Sequence, residues 1–245
     1  MRALRTMTWT EAKLFLREPE AAFFTLAFPL ILLLVFGSIF GNDPVAEFGG
    51  RGTVDVSVPG YIAMIIGTVG LIGLPVSLAA YREAGILRRL RATPLHPATI
   101  LGAHVIVSLT MTVLGVALLV GAGRIIYELT MPDAPIATAL AAVLGGLSFF
   151  ALGFVLAGVL PTSRVAQAVG SAVYFPMLFL SGAAIPRQIM PDGVRRVADA
   201  LPLTQVAILV EDLWIGDGWD QGALAMLAGI FAVAVVVAVR TFRWE

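Results

Sequence analysis

Six windows of this chain contain no charged side chain: 21–42, 56–81, 92–123, 134–163, 165–186 and 221–239. A helix needs about 20 predominantly apolar residues to cross the hydrocarbon of a bilayer. Backbone polar groups have no water to bond there, so spanning segments are helices or closed barrels. Barrel strands alternate apolar and polar residues, whereas these runs are continuous. The chain therefore reads as an all-α integral membrane protein. Prolines and glycines trim the windows to six transmembrane helices near 22–41, 59–80, 98–122, 136–159, 165–184 and 221–239. Composition agrees, because 13% charged residues is about half the share usual in soluble domains.

Six crossings put both termini on one side. With the N-terminus in the cytoplasm, eleven Lys and Arg fall inside: Arg2, Arg5, Lys13, Arg17, Arg82, Arg88, Arg89, Arg91, Arg164, Arg240 and Arg243. Five fall outside: Arg51, Arg124, Arg187, Arg195 and Arg196. The positive-inside rule selects this orientation. No small-residue cleavage site closes the first apolar run, so it is expected to be retained and not removed as a signal peptide.

Several chemistries are excluded or disfavoured. There is no cysteine, hence no disulfide, thiolate metal site or cysteine nucleophile. Net charge is zero, so no global field attracts nucleic acid. The centres of the spans hold no Lys, Arg, Asp or Glu, which ion-coupled transporters and proton pumps normally need. His96 and His104 stand near one inner boundary with no carboxylate nearby in the sequence, which argues against a metal pair. No catalytic residue is assigned. The sole lysine, Lys13, has no glycine-rich loop before it, so phosphate-loop ATP chemistry is absent.

The densest positive cluster is "YREAGILRRLRATPLHP" at 81–97. Ile86, Leu87 and Leu90 recur at helical spacing while Arg82, Glu83, Arg89 and Arg91 stay polar, giving a short amphipathic helix over 82–93. Pro94 and Pro97 stop it before the third span. Such a helix suits a protein groove or a membrane surface, and spacing does not decide between them.

Residues 1–20 form a second amphipathic segment, with Trp9, Ala12, Phe15 and Leu16 on its apolar side and Arg5, Lys13 and Arg17 supplying charge. It reads as an interfacial helix on the inner leaflet, broken from the first span by Pro19. The outer connection 185–220 contains two short helical stretches, one after Pro191 and one over Pro202–Trp214, too short to span. They read as a re-entrant helical hairpin, or as helices lying at the interface. Pro29, Pro75 and Pro176 are expected to kink their spans, as static bends or as points of rearrangement. Gly67, Gly70, Gly73, Gly145, Gly146 and Gly153 permit close helix approach. Tyr174, Phe175, Met177 and Phe179 make the fifth span bulky; they line a path for an apolar substrate, or serve core packing and lipid contact.

The chain is thus read as the interfacial helix 1–20 followed by a six-helix membrane domain, 21–245. Over nearly its whole length it resembles the membrane subunits of ABC type-two exporters, which handle drugs, polyketides, lipids or polysaccharides. "YREAGILRRLRATPL" resembles the family's cytoplasmic coupling helix. "LSGAAIPRQIMPDGVRRVADALPLTQV" resembles its signature at the fifth span and outer re-entrant helices. The helix before "FFTLAFPLILLLVFG" resembles its connecting helix. The resemblance implies that Tyr81, Arg82, Glu83, Leu87, Arg88, Arg89 and Arg91 form a surface docking a separate ABC ATPase, which holds ATP and magnesium; this chain itself carries no cofactor. It implies that Pro186, Pro191, Arg195, Pro202, Leu203 and Thr204 shape an outer gate. Gln205 departs from the family pattern, which often has an aromatic residue there. Expected partners are that ATPase, a second copy or homologous permease, and membrane lipid, with no nucleic acid. The expected location is the cell membrane. The implied mechanism is ATP-driven closure of the ATPase pair, passed by the docked helix to the second and third spans. A membrane-embedded enzyme or passive channel built on Glu211, Asp212, Asp217 and Asp220 is the competing reading.

Overall fold

In the computed structural model, residues 2–17, 22–91, 97–183, 187 and 190–241 are described. The basic amphipathic stretch forms α1 (Arg2–Arg17), which packs along the third span. Pro19 lies outside the described residues. The first span is a π-helical turn, Phe23–Ala27, continued by α2 (Phe28–Phe40). The second is α3 (Thr53–Gly67), a π-helical turn at Thr68–Gly73, and α4 (Leu74–Glu83). After the short α5 (Ile86–Arg91) come α6 (Pro97–Tyr127), α7 (Pro135–Val159) and α8 (Ser163–Leu180). Two short helices, α9 (Asp192–Asp199) and α10 (Pro202–Ile215), precede the last helix, α11 (Gln221–Thr241). Among the described residues the only β pairing is an isolated bridge between Val45 and Arg51.

Among those residues, five helices are long and apolar enough to cross a membrane: Phe23–Phe40, Thr53–Glu83, Thr99–Tyr127, Pro135–Val159 and Gln221–Thr241. The count of six expected from sequence rests on α8, an 18-residue helix that is not one of the five. Arg164 and Gln167 in its first turns lower its hydropathy.

Both π-helical turns end two residues before a proline, Pro29 in one case and Pro75 in the other. Proline removes one backbone donor and crowds the preceding turn, and the wider π turn is a common way for a helix to absorb that defect. A π turn thus precedes Pro29 and Pro75, two of the prolines expected to kink their spans, whereas Pro176 lies inside the continuous α8.

The second span is the hub of the bundle. In its most apolar window 78% of the residues are buried, against 22% for the first and last spans. Tyr61, Ile62, Met64, Ile65 and Ile66 are enclosed by α2, α6, α7, α8 and α10. Two glycines set the closest approaches. A Cβ at Gly153 of α7 would collide with the Gly70 carbonyl oxygen, and one at Gly170 of α8 with the Leu71 carbonyl oxygen. Both carbonyls belong to the π turn, so the distorted stretch is where neighbouring backbones press hardest.

Candidate functional site

At the C-terminal end of the second span, α4 stops at Ala84–Gly85. Gly85 takes φ +67° and its N–H donates to the Arg82 carbonyl at 2.9 Å, while Ala84 N–H donates to Ala80 at 2.9 Å. A left-handed glycine is the usual stop for a helix, since other residues pay a steric cost in that conformation. The single helix expected over 82–93 is therefore divided: residues 81–83 finish α4, and α5 begins at Ile86. Residues 92–96, with Pro94 and His96, lie outside the description.

Three consecutive residues at this end reach three different elements. Tyr81 donates its hydroxyl to Glu11 Oε2 on α1 at 2.8 Å. Arg82 donates through Nη1 to the Ala157 carbonyl at 2.8 Å and through Nη2 to the Leu160 carbonyl. Glu83 accepts from the Ser163 hydroxyl at 2.6 Å and the Ser163 N–H at 3.2 Å. Helix ends leave carbonyls unpaired at the C-terminus and N–H groups unpaired at the N-terminus, with partial charges to match. Arg82 thus meets the negative end of α7, and Glu83 the positive end of α8. Thr162 completes the second end by accepting from Val165 N–H at 3.2 Å.

The residue set implied for ATPase docking is accordingly split in space. Tyr81, Arg82 and Glu83 are engaged within the chain, whereas Arg88 and Arg89 project from α5 and are exposed. The Leu87 and Arg91 side chains fall outside the description.

Glu11 is the residue that sequence reasoning missed. Among the described side chains of α1 the buried one is Glu11, at 6% exposure, while Trp9, assigned to the apolar side, is 64% exposed with Lys13 Nζ 5.0 Å above its ring. His104 brings Nδ1 to 3.5 Å from Glu11 Oε2, so this histidine does have a carboxylate beside it. The Tyr81 and His104 rings lie 5.5 Å apart. Between them, a cavity of about 30 Å³ is lined by Glu11, Ser77, Tyr81, His104 and Ser108, and His104 Nε2 has no hydrogen-bond partner. That volume admits one water molecule. The signal in the sequence was slight: one acid in the middle of an otherwise basic helix.

Within the connection 185–220, where a re-entrant hairpin is expected, the described residues hold the two short helices α9 and α10. α10 is 14 residues long and is buried against α3, α7 and α11 through Leu203, Val206, Leu209, Val210, Leu213 and Trp214. It is therefore lodged in protein, the condition under which a short helix at membrane depth is tolerated. Pro202 starts α10, Leu203 and Thr204 are fully buried, and Pro191 precedes α9. Arg195 is exposed, and Pro186 lies outside the described residues. Gln205 donates through Nε2 to the Asp199 carbonyl, closing the end of α9. Arg187, not singled out from sequence, ties the hairpin together: Nη2 meets Asp199 Oδ1 at 2.6 Å, and Nη1 lies 3.9 Å from Glu211 Oε2. Of the acidic set, Glu211 faces this arginine and Asp220 caps α11 by accepting from Ala223 N–H at 2.6 Å. Burial pushes the Asp212 carboxyl above its ordinary range, reinforced by Asp220 and Asp217 and opposed by Arg187. No group of three metal-binding side chains occurs among the described residues.

The bulky residues of α8 also divide. Tyr174 is buried and donates to the Met64 carbonyl at 3.2 Å, while the Thr68 hydroxyl lies 2.8 Å from its oxygen. Met177 is half-buried, and Phe175 and Phe179 are exposed. A separate apolar groove of about 420 Å³ opens between α6, α7 and α11, walled by Phe150, Phe154 and Phe231 among others.

A bundle of apolar helices, a charged helical projection beyond one end and a hairpin folded back into the other define a multi-pass membrane protein. Residues 2–210 match the ABC-2 type transporter family, and the chain belongs to it. It is a transport permease, a class of protein that is not itself an enzyme. It is similar to the daunorubicin resistance ABC transporter permease protein DrrB1 of Streptomyces coeruleorubidus, with 27% identity covering 98% of this chain and 86% of that one. Nodulation protein J of Bradyrhizobium diazoefficiens is 36% identical over a third of this chain, 33%, and 31% of its own length. The putative transport permease ycf38 of Porphyra purpurea is 25% identical over 83% of this chain and 71% of its own.

Proposed function

We propose that this chain is the membrane subunit of an ATP-driven exporter that moves an apolar or amphipathic molecule out of the cytoplasm or inner leaflet. A drug, polyketide, lipid or glycolipid fits that description. The energy comes from a separate ABC ATPase, which carries ATP and magnesium; this chain holds no cofactor of its own. Two permease copies, or this chain and a homologous one, form the path in the cell membrane, with α8 as a sixth crossing and both termini cytoplasmic.

The observation that carries this reading is the exposed Arg88–Arg89 pair on a short helix beyond the end of the most enclosed span. A compact basic projection is suited to a charged groove on a soluble partner. Uncharged span centres, the groove between α6, α7 and α11, and the drug-resistance relative support an apolar cargo. Glu211 faces Arg187 and Asp220 caps α11, which favours a structural role for these two acids over the competing enzyme or channel reading.

The test is capture of the ATPase. Purified permease in nanodiscs is expected to retain the ABC ATPase expressed with it, and R88E/R89E to lose at least nine-tenths of it. Undiminished capture by the double variant, together with ATP-driven efflux of daunorubicin, would refute the docking role.

A further inference from the structure

We propose that Arg82 and Glu83 form a transmission bracket that carries displacement of the coupling helix into the α7–α8 turn, and through α8 to the outer hairpin. The resemblance placed both residues on the ATPase-docking surface and sent the movement into the second and third spans. The geometry directs it elsewhere.

The bracket has two arms of opposite charge on adjacent residues. Arg82 holds the Ala157 and Leu160 carbonyls at the end of α7, and Glu83 holds the Ser163 N–H and hydroxyl at the start of α8. Each charge sits at the helix end whose partial charge it complements, so exchanging them would oppose both ends at once. The turn between the two helices is only Leu160–Thr162. A shift of α4 therefore acts on both helix ends across a connection too short to absorb it.

α8 is tied to the second span at a further height, where Gly170 lies against the Leu71 carbonyl and Tyr174 bonds to Met64 and Thr68. Its far end packs against α9, whose Asp199 is held by Arg187. A continuous line of contacts thus runs from residue 83 to the outer face. Coupling travels through such packed and hydrogen-bonded chains, and its demonstration requires perturbing one end and reading the other.

The proposal rests on the proposed function only for what pushes on α5; the bracket is tested on the permease alone. The readout is hydrogen exchange of wild type, E83A and S163A in nanodiscs, followed in α9 at the opposite face. Both variants are expected to raise exchange in residues 192–199 at least threefold, with E83A/S163A no worse than either. The chain contains no cysteine, so E83C/S163C places the sole thiols at the bracket. Bridging them with a bifunctional methanethiosulfonate linker is expected to return α9 exchange to the wild-type level, and reduction to release it. A rise confined to residues 157–165, or unchanged α9 exchange after bridging, overturns the proposal. So does loss of ATPase capture by E83A to the extent seen for R88E/R89E, since Glu83 would then be a docking residue. Failure of the proposed function shows separately, as capture that is indifferent to Arg88 and Arg89.

Discussion

The phenol of Tyr81 and the carboxylate of Glu11 meet at 2.8 Å, joining the C-terminal end of the second span to a helix that precedes the first. The contact sits beside His104, so α1, α4 and α6 converge on one buried carboxylate. Replacing Glu11 by Ala removes the acceptor for Tyr81 and the neighbour of His104, and is expected to cost about 1–3 kcal/mol. Tyr81→Phe deletes one hydroxyl and is expected to cost about 0.5–1.5 kcal/mol. Denaturant unfolding in detergent, with the E11A/Y81F double variant no less stable than E11A, checks the pairing.

Gly153 and Gly170 lie where helices touch the carbonyls of the π turn. Gly153→Ala and Gly170→Ala are each expected to destabilise by about 1–3 kcal/mol through overpacking. Gly229→Ala, which meets no neighbour in the structure, is expected to be neutral or stabilising by up to about 1 kcal/mol, since alanine is the better helix former. Midpoints of thermal unfolding for the three variants distinguish the sites.

Asp212 gives the outer hairpin a pH dependence of known sign. Its carboxyl is held above the ordinary range by burial first, then by Asp220 and Asp217. Below that range the group is protonated in both folded and unfolded chains and adds no difference. As pH rises toward the elevated folded value the unfolded chain ionises first, and stability falls. Asp212→Asn is therefore expected to stabilise the protein at neutral pH, with the gain vanishing in acid. Unfolding midpoints of both proteins across pH 3–8 measure it.

Arg187 supplies one guanidinium to two carboxylates in the hairpin. Arg187→Ala is expected to cost about 1.5–3 kcal/mol, the range for hydrogen bonds to charged groups. Asp199→Asn is expected to reproduce part of that loss, and the double variant to fall short of the sum. Limited proteolysis between α9 and α10 is the measurement, with faster cleavage in both single variants.

The spans were legible because continuous apolar runs have one physical solution in lipid. The helix Pro202–Ile215 was legible for a related reason, since it is mostly apolar yet too short to cross. α8 is the ambiguous element, being apolar at one end and polar at the other around Arg164 and Gln167. Gly85 marked the end of α4, but the periodic Ile86 and Leu87 beyond it invited one unbroken helix. The partners of Arg82 and Glu83 were not legible at all, because they lie 75 to 80 residues away in the chain. Amphipathicity assigned Arg82 and Glu83 to an outward face, while the fold brought the ends of two other helices to them. Trp9, expected on the apolar side, is exposed, and Glu11 is buried in its stead, because the hydroxyl of Tyr81 supplies the carboxylate with an internal donor.

The span that leads to α5 is also the most enclosed of the bundle, because its neighbours sheathe it. Bilayers of unequal thickness strain whichever helices they wet. The first and last spans, at 22% burial, are the ones such strain is expected to meet first, and the second span, at 78%, the one it is expected to meet last. Swapping short-chain for long-chain phospholipid should accordingly alter the seating of the first and last spans before it alters the reach of Arg88 and Arg89.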